Sequence, residues 1–141
     1  MNDAVIERPL PIPDAATAPY WSAAHEGRLE LPCCLDCRRR HFYPRTLCPH
    51  CGSARLEWAA CSGRGVVYSY TVVHRAPSPA FAAEVPYVVA VVKLDEGPHL
   101  MTNIVGCPQT PQALQLDMPL AVTYEKQNEE DSLPLFKPAA G

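Results

Sequence analysis

The chain has no apolar run approaching the ~20 residues that a membrane-spanning helix needs. Its N-terminus, MNDAVIERPLPIP, has neither the basic start nor the apolar stretch of a secretory signal peptide. These absences predict a cytoplasmic protein. They also argue against a disulfide framework, because the cytosol keeps thiols reduced and the seven cysteines cannot all pair with one another.

Linear signatures of common catalytic sites are also missing. The sequence contains no G-x-S-x-G, no Walker sequence, no G-x-G-x-x-G and no H-E-x-x-H. Cys61 and Cys107 are isolated, with no recognisable base and orienting group beside them, and are predicted to be small buried apolar residues. The sequence therefore gives little direct support for a chain that is catalytic by itself.

The chain is rich in proline, and its charge is unevenly distributed. At 141 residues it can form one ordinary domain or two small modules, and its 16 prolines favour strands, turns and loops over long helices. The net charge is -3. Residues 28–56 hold six arginines against two acidic residues, whereas residues 57–141 hold five basic residues against nine acidic ones. The basic character is therefore confined to the cysteine-rich segment.

The pattern TAPYWSAAHEGR predicts a short helix at about residues 18–26, after an extended arm. Thr17 can cap it, Pro19 lies near its first turn, and Gly27 can end it in the left-handed conformation. Three residues, Tyr20, Trp21 and Ala24, form an apolar face. This face could equally pack on its own domain or dock to another protein.

After residue 53 the sequence alternates with a period of two and is rich in β-branched residues, as in strands. Strands are predicted at residues 66–74, 87–94, 99–105 and 120–126, with a fifth around 133–137. Five short strands without a long helix predict a small antiparallel barrel of the OB type. The predicted organisation is an arm and helix at 1–27, a cysteine module at 28–56 and a barrel at 57–141.

Two cysteine pairs have the spacing of a zinc ribbon: Cys34-x2-Cys37 and Cys48-x2-Cys51. Gly52 follows the second pair and permits the positive φ of a tight turn, whereas Arg38 stands at the corresponding place after the first. Four thiolates saturate zinc and leave no position for water, so a structural zinc is predicted, with iron as an alternative. His41 and His50 are predicted to be surface residues and not ligands.

The long loop HRAPSPAFAAEVPY, residues 74–87, is the candidate binding segment of the barrel. His74 and Arg75 lie at a strand exit and Phe81 stands among small residues and prolines. In OB-type barrels the first loop commonly borders the binding face. A cationic pair beside an apolar residue could hold a ligand with phosphate and acyl parts, although Phe81 could instead fill the end of the barrel in a rigid connecting loop.

Together these segments resemble a known family. PYWSAAHEGRLELPCCLDC, FYPRTLCPHCGS, a following Trp, G-x-G-x-VYSYTVVHRAPSPAF and PYVVAVVKLDEG stand in the order seen in the acyl-CoA-associated family that joins a rubredoxin-like zinc ribbon to an OB-fold. The resemblance covers roughly residues 15–126. It implies that Cys34 is the first ligand and that Cys33 is a bystander.

The resemblance also implies a function. Members of this family are typically small, non-catalytic subunits that bind acyl-CoA or scaffold thiolase-like, aldolase or acyltransferase enzymes, which supply the catalytic residues. A competing hypothesis is a module that binds single-stranded nucleic acid, because zinc ribbons and OB-folds both serve that role. The predicted barrel is net acidic, which disfavours a groove that tracks a phosphate backbone. A standalone thioester enzyme is a third alternative.

Overall fold

The structure is a computed structural model and describes residues 8–139. Its strands form two antiparallel sheets. The first sheet pairs β1 (Glu30–Cys34) with β2 (Leu56–Ala60). The second contains β3 (Arg64–Val73), β4 (Tyr87–Leu94), β5 (His99–Asn103), β6 (Pro119–Lys126) and β7 (Ser132–Pro138). A helix, α1 (Ala18–His25), comes before both sheets.

The five-stranded sheet is a nearly closed barrel with the strand order β5-β4-β3-β6-β7. The long strand β3 pairs with β4 along most of its length and with β6 through its first residues. A parallel bridge between Ile104 and Phe136 joins the end of β5 to β7 and brings the two edges of the sheet together. The predicted OB-type barrel, with its five strands, is confirmed.

The barrel core follows from the alternation of apolar residues. In β4, YVVAVVKL, every second residue is buried, so that Val88, Ala90, Val92 and Leu94 point inward. Phe136 of β7 is fully buried among them. The turn DEGP joins β4 to β5 in a tight hairpin, and Gly97 has a φ of 113° there.

Helix α1 packs on its own chain, which resolves the alternative left open by the sequence. Tyr20 and Ala24 are buried, and the helix lies against β1 and β7. Thr17 does not cap it through its side chain; instead Asp14 Oδ1 accepts a hydrogen bond of 2.9 Å from the Thr17 amide. Within residues 8–139, no helix has the length and apolarity needed to cross a bilayer.

Candidate functional site

Each cysteine pair lies in a tight turn that is closed by a backbone hydrogen bond. In the first turn, the Arg38 amide donates to the Cys34 carbonyl at 2.9 Å. In the second turn, the Gly52 amide donates to the Cys48 carbonyl at 2.8 Å. The end of β1 carries the first turn, and the chain returns from the second turn into β2. The pairing of β1 with β2 therefore holds the base of the cysteine module.

The four predicted ligands come together. The sulfurs of Cys34, Cys37, Cys48 and Cys51 all lie within 4.8 Å of one another. The Cys34–Cys51 and Cys37–Cys48 sulfur distances are 3.5 and 3.6 Å. Zinc bonds to sulfur at about 2.3 Å, which places the corners of a regular tetrahedron about 3.8 Å apart. The residues present therefore fit a tetrahedral zinc whose coordination shell is filled by protein.

The electrostatics of the cluster also suit a cation. Backbone amides of Cys37 and Asp36 lower the pKa of Cys34 to about 6. At Cys51, the Ser53 amide acts in the same direction, but the neighbouring thiols and burial outweigh it and raise the pKa to about 12. Four adjacent thiolates repel one another, so they can all be ionised only when a positive ion lies between them.

The two turns differ in backbone strain, as their sequences predict. Gly52 has a φ of 79° and Arg38 a φ of 67°. The left-handed conformation is free of steric cost for glycine but costs about 1–2 kcal/mol for a residue with a Cβ. Arg38 therefore occupies a position where glycine would be better tolerated by the fold.

Replacing Arg38 with glycine is expected to raise the free energy of unfolding of the metal-bound protein by about 1 kcal/mol, because the strain at this residue is released. Urea denaturation followed by circular dichroism measures the change. Arg39→Gly is the matched control, since it removes the same charge at a residue without a positive φ. If Arg38→Gly were less stable than Arg39→Gly, the backbone at Arg38 would not be strained.

His41 is not the surface residue that the sequence predicted. It is 3% exposed, and the Arg45 amide donates a hydrogen bond of 3.3 Å to its Nε2. Burial, with the nearby charges of His50 and Arg45, lowers the pKa of the His41 imidazole. His50 is exposed, as predicted. Neither histidine belongs to the group of residues that could hold the metal.

The three cysteines outside the cluster are half-buried. Cys33 lies in β1, paired opposite Glu57, and Cys61 and Cys107 pack against the edge of the core. The prediction that Cys61 and Cys107 are buried is therefore too strong, because both stand in connections just outside the sheets. Burial raises the pKa of Cys61 to about 11, which keeps its thiol protonated at neutral pH.

The loop between β3 and β4 carries the predicted binding residues. His74 and Arg75 are exposed, and neither forms an ion pair within the described part of the chain. Phe81 lies half-buried in a short 3-10 turn, and its ring centre is 6.2 Å from that of Tyr87. The loop thus presents an imidazole and a guanidinium group to solvent beside a partly covered aromatic pair.

A cleft of about 580 Å³, which the sequence did not predict, lies between the cysteine module and the turn from β4 to β5. We call it the ribbon–barrel cleft. Arg38, Arg39, Arg40 and Arg45 line it on the module side, and Glu96 and His99 line it on the barrel side. The four arginines are visible in the sequence, but nothing in the sequence indicates that the β4–β5 turn faces them.

Sequence comparisons agree with this architecture. Residues 21–57 match the ChsH2 rubredoxin-like zinc ribbon domain, and residues 58–125 match the ChsH2 C-terminal OB-fold domain. A DUF35 domain-containing scaffold protein of Methanothermobacter thermautotrophicus is 35% identical over 69% of this chain and 71% of its own length.

Two further relatives are named for enzymes. A probable enoyl-CoA hydratase alpha subunit of Thermomonospora curvata is 40% identical over 94% of this chain, which spans only 40% of that protein. A solved structure, the Ltp2-ChsH2(DUF35) aldolase, matches with a TM-score of 0.81 and 39% identity, covering 93% of this chain and 100% of that one. With its ribbon, its barrel and its likeness to scaffold proteins along most of their length, the chain belongs to the DUF35 family, in which a zinc ribbon precedes an OB-fold.

Proposed function

We propose that this chain is a non-catalytic accessory subunit that binds acyl-CoA, scaffolds a thiolase-like or aldolase enzyme, or does both. The observation that carries the proposal is the likeness over 93% of the chain to a subunit of the Ltp2-ChsH2(DUF35) aldolase. Names of two relatives, a scaffold protein and a hydratase alpha subunit acting on enoyl-CoA, point to the same role.

The metal centre supports an accessory role. We assign Cys34, Cys37, Cys48 and Cys51 as ligands of a structural zinc and Cys33 as a bystander, because the Cys33 sulfur lies outside the cluster. A catalytic zinc keeps one position open for water, whereas four sulfurs fill the shell. In this proposal the metal folds the ribbon, and the partner enzyme supplies the reacting groups.

The β3–β4 loop is the proposed contact with the acyl-CoA or with the partner. His74 and Arg75 are exposed donors, and Arg75 carries a charge that can pair with a phosphate or carboxylate. Phe81 and Tyr87 offer an apolar surface beside them. An ion pair of 3.2 Å between Arg8 and Glu84 ties the same loop to the segment before α1.

A combined His74→Ala and Arg75→Ala variant is expected to reduce acyl-CoA affinity, or stimulation of the partner enzyme, by roughly 10- to 150-fold, since a charge-assisted hydrogen bond contributes about 1.5–3 kcal/mol. Acetyl-CoA binding is measured by calorimetry. Partner stimulation is measured as the rate of a co-purified thiolase-like or aldolase enzyme with and without the chain. Lys137→Ala, which removes an exposed charge from β7, is the control.

Two results would contradict the proposed function. One is turnover of a CoA thioester by the purified chain alone, which would make it an enzyme. The other is binding to single-stranded DNA at physiological salt, without binding to CoA thioesters or effect on any such enzyme. The second result would favour the nucleic-acid module.

A further inference from the structure

Three buried side-chain atoms in residues 8–139 have no hydrogen-bond partner, and all three belong to residues that line the ribbon–barrel cleft. They are Arg40 Nε, His41 Nδ1 and Glu96 Oε1. An unpaired buried polar atom costs about 1–3 kcal/mol, and folded proteins contain few of them. Their concentration in the walls of one cleft marks it as the least satisfied polar region of the described residues.

Hydrogen bonds elsewhere on these side chains show which donor or acceptor of each one is unused. His41 Nε2 accepts from the Arg45 amide, so Nδ1 of the neutral imidazole carries the proton and is a donor. Arg40 donates through Nη2 to the Ala60 carbonyl at 3.2 Å, which leaves its Nε–H as a second donor. Glu96 Oε2 accepts from the Ser62 amide at 2.8 Å, which leaves Oε1 as an acceptor. The walls of the cleft therefore contain two unused donors and one unused acceptor.

The charge of the cleft favours an anion. Four arginines, at positions 38, 39, 40 and 45, line it against one carboxylate, that of Glu96. None of the four forms a salt bridge with a carboxylate in the part of the chain that the structure describes. Arg38 moreover lies in the left-handed backbone conformation, which is costly for a residue with a side chain. Guanidinium groups bind phosphate oxygens in pairs, so a group with several phosphate oxygens fits them best.

The size and the remaining walls of the cleft indicate more than a phosphate. Its volume of about 580 Å³ lies within the range of about 300–1,000 Å³ that is typical of small-molecule sites. Phe42, His50 and His99 line it, and the His99 ring also packs against the Tyr68 ring, with the ring centres 4.4 Å apart. Flat rings of this kind stack on nucleobases.

We propose that the ribbon–barrel cleft binds a nucleoside diphosphate group, with the arginines holding the diphosphate and the rings holding the base. This group is found in a free nucleotide such as ADP and in the nucleotide part of CoA. The cleft lies at the Leu94 end of β4, and the β3–β4 loop lies at the Tyr87 end. These two ends of the strand are about 23 Å apart, at a rise of about 3.3 Å per residue. The cleft is therefore a second site, and the proposal does not depend on the function of the β3–β4 loop.

Calorimetry of the zinc-bound full chain at 150 mM salt tests the proposal with ADP, CoA and inorganic pyrophosphate as separate ligands. ADP and CoA are expected to compete for one site and to bind more tightly than pyrophosphate. An Arg39→Gln and Arg45→Gln double variant is expected to bind both roughly tenfold more weakly, because both exposed side chains lose a charged contact. Zinc content and circular dichroism matching those of the wild type show that the double variant is folded.

Arg55→Gln is the matched control, because Arg55 lies in the same module, pairs with Asp36 and does not line the cleft. Equal weakening by Arg55→Gln, equal affinity for pyrophosphate and ADP, or no binding by any of the ligands would overturn the proposal. Tighter binding of a single-stranded oligonucleotide that displaces ADP would also overturn it. If CoA binds, ADP does not, and the double variant weakens CoA binding, the result would support a binding site in the cleft. It would also identify CoA as the source of the nucleoside diphosphate group.

Discussion

Cys34→Ser is expected to abolish stoichiometric zinc binding and unfold the ribbon, whereas Cys33→Ser is expected to leave both unchanged. The two cysteines are adjacent, yet the Cys34 sulfur is fully buried in the four-sulfur cluster and the Cys33 sulfur lies outside it. Binding of zinc in small modules contributes about 10–16 kcal/mol to folding. A ribbon with one short sheet has little apolar core to replace that contribution.

Elemental analysis of purified protein and circular dichroism measure the two consequences. Wild-type protein and Cys33→Ser should each hold about one zinc per chain, and Cys34→Ser far less. Removal of zinc by a chelator should reproduce the spectrum of Cys34→Ser in the wild type and in Cys33→Ser alike. Full zinc content and an unchanged spectrum in Cys34→Ser would show that this residue is not a ligand. Loss of zinc in Cys33→Ser would show that the bystander assignment is wrong.

The strands and the metal module could be predicted because local patterns determine them. The alternation in β4 fixes which residues face the core, and the two Cys-x2-Cys pairs fix where the sulfurs meet. The strain at Arg38 was also visible, since the second turn has glycine at the corresponding place. Each of these features depends on residues that lie close together in the sequence.

The cleft and the burial of His41 could not be predicted in this way. Both depend on the contact between the cysteine module and the turn after β4, which lie about fifty residues apart. The sequence explains the arginines equally well as counter-charges for the thiolates. The packing of α1 was open for the same reason, because an apolar helix face does not specify the surface that covers it. The chemistry of each segment could be predicted from the sequence, whereas the contacts between distant segments could not.

Phe136→Ala is expected to lower the free energy of unfolding by about 3–5 kcal/mol, a large part of the total stability of a domain of this size. Phe136 is fully buried, and its backbone bridges to Ile104 where β7 meets the end of β5. Removing the ring leaves a cavity at the place where the barrel closes. Phe81→Ala makes the same chemical change at a half-exposed loop position, so it is expected to cost about 1 kcal/mol or less. Urea denaturation of the zinc-bound variants measures both, and equal losses would mean that β7 does not close the barrel through this residue.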